Sequence, residues 1–317
     1  GVVGSGLVEL FSENHNNGIN LKKIAVKNSK KPRKISFGNL TNNVDEILED
    51  PSIDVVVELI GGYNPAKDYL IKAIRNGKHV VTANKAVISE HGPEIFEEAK
   101  KHKVNVGFEG AVGGGIPIIN PLLEQLSLGN IKSITGILNG TTNFILTRMG
   151  EGVDYHSALA IAQEKGFAEA DPSFDVKGLD AAQKISILAS LAFGRWINPS
   201  EVYCEGITEI TPIDMEYARE LGYAVKLLTM ARKTREGGID IRVHPALISV
   251  SHRLSKVNEE MNAIHILGSP FDEYFNVGKG AGQGPTAFSV YYDIIKIAGM
   301  IKSEMLREIK INKNYVK

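Results

Sequence analysis

Val55-Val56-Val57-Glu58-Leu59-Ile60-Gly61-Gly62 is the stretch on which the fold turns. Its β-branched run, bounded by a glycine pair, reads as a strand buried on both faces, the habit of a parallel sheet. Residues 65–76 then read as a helix, with Pro65 in the first turn and Gly77 as the stop. His79-Val80-Val81-Thr82 reads as the next strand, residues 93–102 as a helix and residues 104–108 as a further strand. Upstream, residues 5–14 read as a helix and residues 23–26 as a short apolar strand, followed by a basic loop at 27–34. Strands alternating with helices of about 10–15 residues imply a parallel, doubly wound sheet.

The pattern changes near Gly113-Gly114-Gly115. Beyond it, strands at 133–138, 224–232, 239–243 and 263–267 mix with helices at 117–126, 179–193 and 212–221. Strands and helices grouped apart suggest an α+β unit. After the glycine run from Gly278 to Gly284, a last helix to about residue 308 can cross back to the first unit. The expected class is therefore α/β: a Rossmann-type doubly wound parallel sheet (residues 1–115, completed by 285–308) plus an α+β domain (116–284).

Composition narrows the function. The 317 residues carry 36 basic and 37 acidic side chains, a formal net charge of -1. Such balance argues against a nucleic-acid binder that relies on phosphate contacts and against a polybasic membrane anchor. No apolar run approaches the ~20 residues of a membrane span, and no signal peptide is evident. The single cysteine, Cys204, can form neither an internal disulfide nor a thiolate zinc site, which fits a cytoplasmic setting. Glycine stands out at 32 residues, above the usual ~7%.

Several glycines fall where a nucleotide would bind. Gly1-Val2-Val3-Gly4, just ahead of a helix, matches the last two glycines of G-x-G-x-x-G, where backbone approaches a pyrophosphate. A sheet of this class has a strand before that turn, so about ten further residues are expected upstream of Gly1. Where an acid would bind a ribose hydroxyl, the chain has Val26-Lys27-Asn28-Ser29-Lys30-Lys31, with Arg33 beyond. These cations favour NADP over NAD; the other reading is a solvated basic loop. Ile60-Gly61-Gly62 and Thr82-Ala83-Asn84-Lys85 lie at strand ends, where the ligand crevice of such a sheet forms.

The run from Gly166 to Lys184 holds four carboxylates, Glu169, Asp171, Asp175 and Asp180, among apolar residues. Asp180 and Lys184 are four apart and share a helix face. Pattern alone allows a capped helix with a surface ion pair, worth a few tenths of a kcal/mol. It also allows a site for an ammonium-bearing substrate with Lys184 moving a proton. Zinc is disfavoured, because no His or Cys lies at ligand spacing.

Taken together these residues resemble the homoserine dehydrogenase family. The resemblance rests on Gly1–Gly6, Glu58-Leu59-Ile60-Gly61-Gly62, Thr82-Ala83-Asn84-Lys85, the segment 109–117, Leu138-Asn139-Gly140-Thr141-Thr142-Asn143, the Glu169–Lys184 run, Arg242-Val243-His244-Pro245, and Gly280-Ala281-Gly282 with Pro285-Thr286. They occur in the family's order and span nearly the whole chain. The resemblance implies NAD(P)-dependent interconversion of L-homoserine and L-aspartate 4-semialdehyde, in the biosynthesis of threonine, methionine and isoleucine. The first domain would bind the dinucleotide, the second the substrate and a partner subunit in a homodimer. Lys184 would exchange the proton, Asp180 would position it, and Lys85 would reach nicotinamide and substrate. Glu169 and Asp175 would hold the substrate ammonium, and Gly140 and Thr141 would line its site. Gly1, Val2, Val3, Gly4, Lys27, Ile60, Gly61 and Gly282 would join Lys85 in contacting the cofactor. Glu109, with the carbonyls of Val112, Gly114 and Ile116, matches a structural monovalent-cation loop, usually sodium.

Elementary chemistry agrees with that reading. Oxidising a primary alcohol needs a hydride acceptor and a base for the hydroxyl proton. A lysine serves as that base only when burial or a second cation, such as Lys85, favours its neutral form. Two departures from the family are read here: no acid or Arg-Asp pair follows the second strand, and a C-terminal regulatory domain is not expected after the last helix. Threonine feedback through such a domain is therefore not expected. Rival readings are aspartate-semialdehyde dehydrogenase, which needs a nucleophilic cysteine, a sugar-oxidising relative with Glu-Lys-Pro where this chain has Asn84-Lys85-Ala86, another hydroxy-acid dehydrogenase, and a non-catalytic nucleotide sensor.

Overall fold

The computed structural model describes residues 1–13, 18–28 and 38–309. In chain order the elements are α1 (Val2–Glu13), β1 (Ile24–Ala25), β2 (Leu40–Thr41), α2 (Asp45–Leu48), β3 (Val55–Glu58), α3 (Ala66–Arg75), β4 (His79–Thr82), α4 (Lys85–His102) and β5 (Val106–Gly107). Then follow α5 (Ile119–Leu123), β6 (Asn130–Ile137), α6 (Gly140–Gly150), α7 (Tyr155–Glu164), α8 (Ser173–Val176), α9 (Leu179–Phe193), β7 (Tyr203–Cys204) and α10 (Pro212–Glu220). The chain continues through β8 (Tyr223–Lys233), β9 (Ile239–Ser249), β10 (Met261–Ser269), β11 (Asp272–Lys279) and α11 (Gln283–Lys302). Contacts divide these into two compact units, Gly1–Gly115 with residues 282–309, and Ile116–Ala281.

In the first unit every strand pair is parallel. β1 pairs with β2, and β3, β4 and β5 pair in that order. β3 is buried less completely than its run of valines suggests. Val56 and Glu58 are buried, whereas Val55 and Val57 are half-buried against a cluster of Leu7, Val81, Val290 and Ile294.

α1 begins at Val2 rather than at residue 5, with the Ser5 N–H bonded to Gly1 O at 2.9 Å. Gly4 and Gly6 are both helical, because packing on α11 outweighs their poor helix propensity. A Cβ on Gly6 would lie 2.9 Å from Gln283 Cγ and 3.1 Å from Ala287 Cβ, so the close approach of α1 to α11 at this point relies on glycine.

α4 starts eight residues earlier than Pro93 suggests. Asn84 caps it, accepting from the Val87 N–H, and Pro93 lies in its interior. An interior proline forfeits one backbone bond; burial of Val87, Ile88, Ile95, Phe96 and Ala99 offsets that loss. Lys85 is consequently the first helical residue rather than part of a loop.

The second unit is built on a mixed sheet in the order β11-β10-β6-β8-β9-β7. All neighbours are antiparallel except β7 and β9. β9 runs through Pro245 to Ser249, beyond the residue 243 expected. Pro245 is tolerated because β7 pairs with β9 only at Arg242 and Val243, so the proline faces no ladder on that side. β11, α6 and α7 were not anticipated from pattern. α6 opens Gly-Thr-Thr-Asn, a poor helix-forming start, yet Thr141 to Leu146 are all buried, so packing decides its state. α5 spans only Ile119–Leu123 and is followed by a 3-10 turn at Leu126–Leu128, and α11 ends at Lys302 rather than near 308.

Candidate active site

α9 carries the chemistry of the second unit. Gly178, at φ 81°, turns the chain into it. A Cβ at that glycine would lie 3.0 Å from Cys204 Sγ and 3.1 Å from Val243 Cγ1. α9 packs on β6, β8 and β9. It is apolar on nearly every side, so residues 180–190 are buried together, Asp180 and Lys184 among them.

Lys184 Nζ stands 2.7 Å from Asp180 Oδ2, and the two residues are only 8% and 5% exposed. The plain reading of their spacing, a surface ion pair, is corrected. A buried pair is costly unless further bonds satisfy it. Here Lys184 Nζ also donates to Leu138 O at 2.7 Å, and Asp180 Oδ2 accepts from Asn139 Nδ2 at 2.9 Å. The same nitrogen donates to Asp175 Oδ1 at 2.7 Å. Asp175, Asp180 and Lys184 are thus gathered by Asn139, which the residue pattern quotes without marking it as functional. A signal did exist: Asn before Gly-Thr-Thr is an N-cap pattern, and the Asn139 side chain accepts from the Thr142 N–H at 2.8 Å.

Gly140 follows directly. A Cβ there would sit 2.6 Å from Glu260 O, so only glycine fits. Thr141 Oγ1 donates to Phe167 O at 2.6 Å, fastening α6 to the loop that bears Glu169. Glu169 itself is exposed on that loop, outside the hydrogen-bonded cluster.

In the first unit a second network gathers at the carboxyl ends of β3 and β4. Glu58, 3% exposed, accepts from the Ile60 and Gly61 N–H groups at 2.6 and 3.2 Å and from Thr82 Oγ1 at 2.6 Å. The Asn84 N–H donates to Thr82 Oγ1 at 2.9 Å, and Asn84 Nδ2 donates to Gly62 O at 2.7 Å. This ring of bonds joins Ile60, Gly61 and Gly62 to the start of α4, where Lys85 is half-buried. Gly61 and Gly62 have φ of 81° and 71° with open space around them. Glycine is required there for conformation, not for room. The crevice at strand carboxyl ends and the free first-turn N–H groups of a helix both suit a dinucleotide. The α1 terminus offers the latter, with Gly1 and Val2 exposed and Val3 and Gly4 half-buried. Lys27 is exposed just past β1; Ser29, Lys30, Lys31 and Arg33 lie outside the described residues. Gly282, at φ 126°, occupies the N-cap position of α11.

Glu109 is 3% exposed in a 3-10 turn, its N–H donating to Asp293 Oδ2 at 2.7 Å. Gly113 and Gly114 both have positive φ, and Gly114 O accepts from Ser289 Oγ at 2.6 Å. Burial pushes Lys296 down to about 8; the nearby Arg307 adds to this and Glu109 opposes it. Burial likewise holds Arg307 below its ordinary range, against Asp293 and Glu109. One carboxylate with main-chain carbonyls is a hard oxygen donor set, suited to an alkali ion rather than a transition metal. Ile116 falls in the second unit. Among the described residues no three His, Cys, Asp or Glu side chains gather as a metal cluster. The Cys204 thiol is half-buried, and burial pushes it up. That disfavours a thioester mechanism.

A parallel-sheet unit with a glycine turn at its first helix, and a second unit holding a buried lysine–carboxylate pair, are the parts of a nicotinamide-dependent oxidoreductase. Sequence profiles make this specific: residues 1–109 match "Homoserine dehydrogenase, NAD binding domain" and residues 117–295 match "Homoserine dehydrogenase". The chain belongs to the homoserine dehydrogenase family. It is 47% identical to a homoserine dehydrogenase of Synechocystis over 96% of this chain and 72% of that one. A Pseudomonas aeruginosa homoserine dehydrogenase is 44% identical over the same shares. The crystal structure of a homoserine dehydrogenase from Thiobacillus denitrificans matches with TM-score 0.92 and 42% identity, covering 96% of this chain and 72% of that one. A hyperthermophilic archaeal homoserine dehydrogenase in complex with NADPH matches with TM-score 0.79 and 28% identity, over 97% of both chains. The chain is accordingly an NAD(P)-dependent oxidoreductase that interconverts L-homoserine and L-aspartate 4-semialdehyde, in amino-acid biosynthesis.

Proposed function

We propose that Lys184 is the group that moves the proton in this reaction. The observation that carries this reading is the buried Lys184–Asp180 pair, with Asp175 bonded into the same cluster. An ammonium group has three N–H donors; Asp180 and Leu138 engage Lys184, and a further donor direction serves the substrate oxygen. Bound NADP supplies the hydride acceptor. On oxidation the Lys184 amine takes the hydroxyl proton as hydride leaves the carbon; on reduction the ammonium returns a proton as hydride arrives. Asp180 orients the lysine. Asp175 and Glu169 hold the substrate ammonium. The α6 N-terminus at Gly140 and Thr141 suits the carboxylate of an amino acid.

Lys85 reaches the nicotinamide. Gly1, Val2, Val3, Gly4, Ile60, Gly61 and Gly282 contact the cofactor, and Lys27 recognises the 2′-phosphate that separates NADP from NAD. A sodium ion on Glu109 and the Val112 and Gly114 carbonyls is structural. The protein works in the cytoplasm as a homodimer through the second unit's sheet. Supporting the dimer, Leu267 and Val277 are large apolar residues left exposed on β10 and β11. Among the described residues no helix is long and apolar enough to cross a membrane.

The test is NADPH formation at 340 nm from homoserine, compared between NADP and NAD, for the parent enzyme and Lys184→Ala. Turnover lost in Lys184→Ala with NADPH binding retained supports the reading. Parent-like turnover in that variant overturns it.

A further inference from the structure

We propose that Asn139 is the positioning residue of this catalytic centre, a single carboxamide that sets both the ammonium-binding Asp175 and the lysine-orienting Asp180. The inference rests on the roles given to Asp175, Asp180 and Lys184 above. Asn139 is 5% exposed and sits between the last residue of β6 and the first of α6. Its Oδ1 accepts from the Thr142 N–H at 2.8 Å and from Thr142 Oγ1 at 2.9 Å. Its Nδ2 donates to Asp175 Oδ1 at 2.7 Å and to Asp180 Oδ2 at 2.9 Å. Both amide hydrogens and both oxygen lone pairs are therefore used.

The orientation of the amide is fixed by the chain itself. Flipping it would set an NH2 against the Thr142 N–H and an oxygen against two carboxylates. The helix cap thus dictates that the donor end faces the acids. Those acids come from different elements, α8 and α9, and side by side they repel. A shared donor between them opposes that repulsion without adding a charge that would compete with the substrate ammonium.

Lys184 is held by the same turn. Its Nζ bonds Leu138 O, the residue before Asn139, and Asp180 Oδ2, the oxygen that Asn139 also reaches. The result is a closed ring from Leu138 O through Lys184 and Asp180 back to Asn139. No other residue type reproduces it. Aspartate caps the helix but offers no donor to the acids, serine caps with one short hydroxyl, and leucine or alanine does neither.

Asn139→Ser keeps a cap and removes both donor bonds. We expect kcat to fall about 10- to 100-fold and the homoserine KM to rise, from lost charged hydrogen bonds and misplaced groups. NADPH affinity, read by fluorescence titration, stays at the parent value. The Asp175→Ala background separates positioning from general damage: there Asn139→Ser adds less than about twofold to KM yet retains its effect on kcat. Parent-like kcat and KM in Asn139→Ser, or an undiminished KM effect in the Asp175→Ala background, overturns the proposal. Should Asn139→Ser fail to fold, Asn139→Gly, also tolerated at a helix N-cap, removes the same two donor bonds without adding a charge and is expected to lose kcat comparably; parent kcat in that variant also overturns it. Lys184→Ala is assayed in parallel. If it stays active, the assignment of the lysine fails; if it is inactive while Asn139→Ser is normal, only the positioning role fails.

Discussion

Asp180 and Lys184 form an ion pair 2.7 Å long one helical turn apart, sealed inside the second unit. Removing the charge of Asp180 keeps its shape but loosens the aim of the lysine. Asp180→Asn is expected to lower kcat about 10- to 100-fold while leaving cofactor affinity unchanged. Steady-state kinetics with an NADPH titration checks this; equal loss in both quantities would point to a folding defect instead.

Glu58 is a buried carboxylate that accepts three bonds. Glu58→Ala leaves two backbone N–H groups and the Thr82 hydroxyl unpaired, at a cost of about 3 kcal/mol. The thermal midpoint is expected to fall, and the NADPH dissociation constant to rise about tenfold. Glu58→Gln, which retains one acceptor oxygen, should fall between. Calorimetry and fluorescence titration supply both numbers.

Gly4 and Gly6 separate binding from packing. Gly6→Ala meets Gln283 and Ala287 inside contact distance, so overpacking outweighs the better helix propensity and costs about 1–2 kcal/mol. Gly4→Ala meets only Leu59 Cδ1 at 3.9 Å. It should be neutral or stabilising by up to about 1 kcal/mol, yet weaken NADP binding where backbone must approach phosphate. Urea unfolding with and without NADP distinguishes the two; a destabilised Gly4→Ala would contradict the contact geometry.

Lys226 gives a pH signature. It is 3% exposed on β8 and donates to Val257 O, Asn258 Oδ1 and Asn143 Oδ1. Burial pushes it down to about 8 from 10.5, with Glu259 opposing. Below pH 8 both folded and unfolded forms are protonated, and the folded state bears the full desolvation penalty. Between about 8 and 10.5 the unfolded state binds more protons, so this group's contribution to stability rises with pH. The difference in unfolding free energy between the parent and Lys226→Met should move in the parent's favour by about 1–3 kcal/mol across that window. A flat difference would show that Lys226 does not titrate there.

How much of this was legible in sequence depends on the range of the interaction. The bounds of β4 and α9 follow from local runs and flanking glycines, and both match the structure. α4 was misplaced because a proline usually opens a helix, and the burial that tolerates Pro93 is a tertiary fact. The spacing of Asp180 and Lys184 shows that they meet; whether they meet in water depends on what α9 packs against. Asn139 is visible as a cap because its partner Thr142 is three residues away. Its bonds to Asp175 and Asp180 cross 36 and 41 residues of chain, and no short motif records them.

Leu138 serves Lys184 through its carbonyl alone. Every amino acid at that position offers the same oxygen, so genetic variation can retune the acid on one side of the lysine but cannot delete the acceptor on the other. Side-chain scanning at Leu138, a residue only 1% exposed, would score lost packing and miss the contact entirely. Reaching that acceptor takes backbone chemistry: an ester in place of the amide between Leu138 and Asn139 would weaken the carbonyl while leaving every side chain intact.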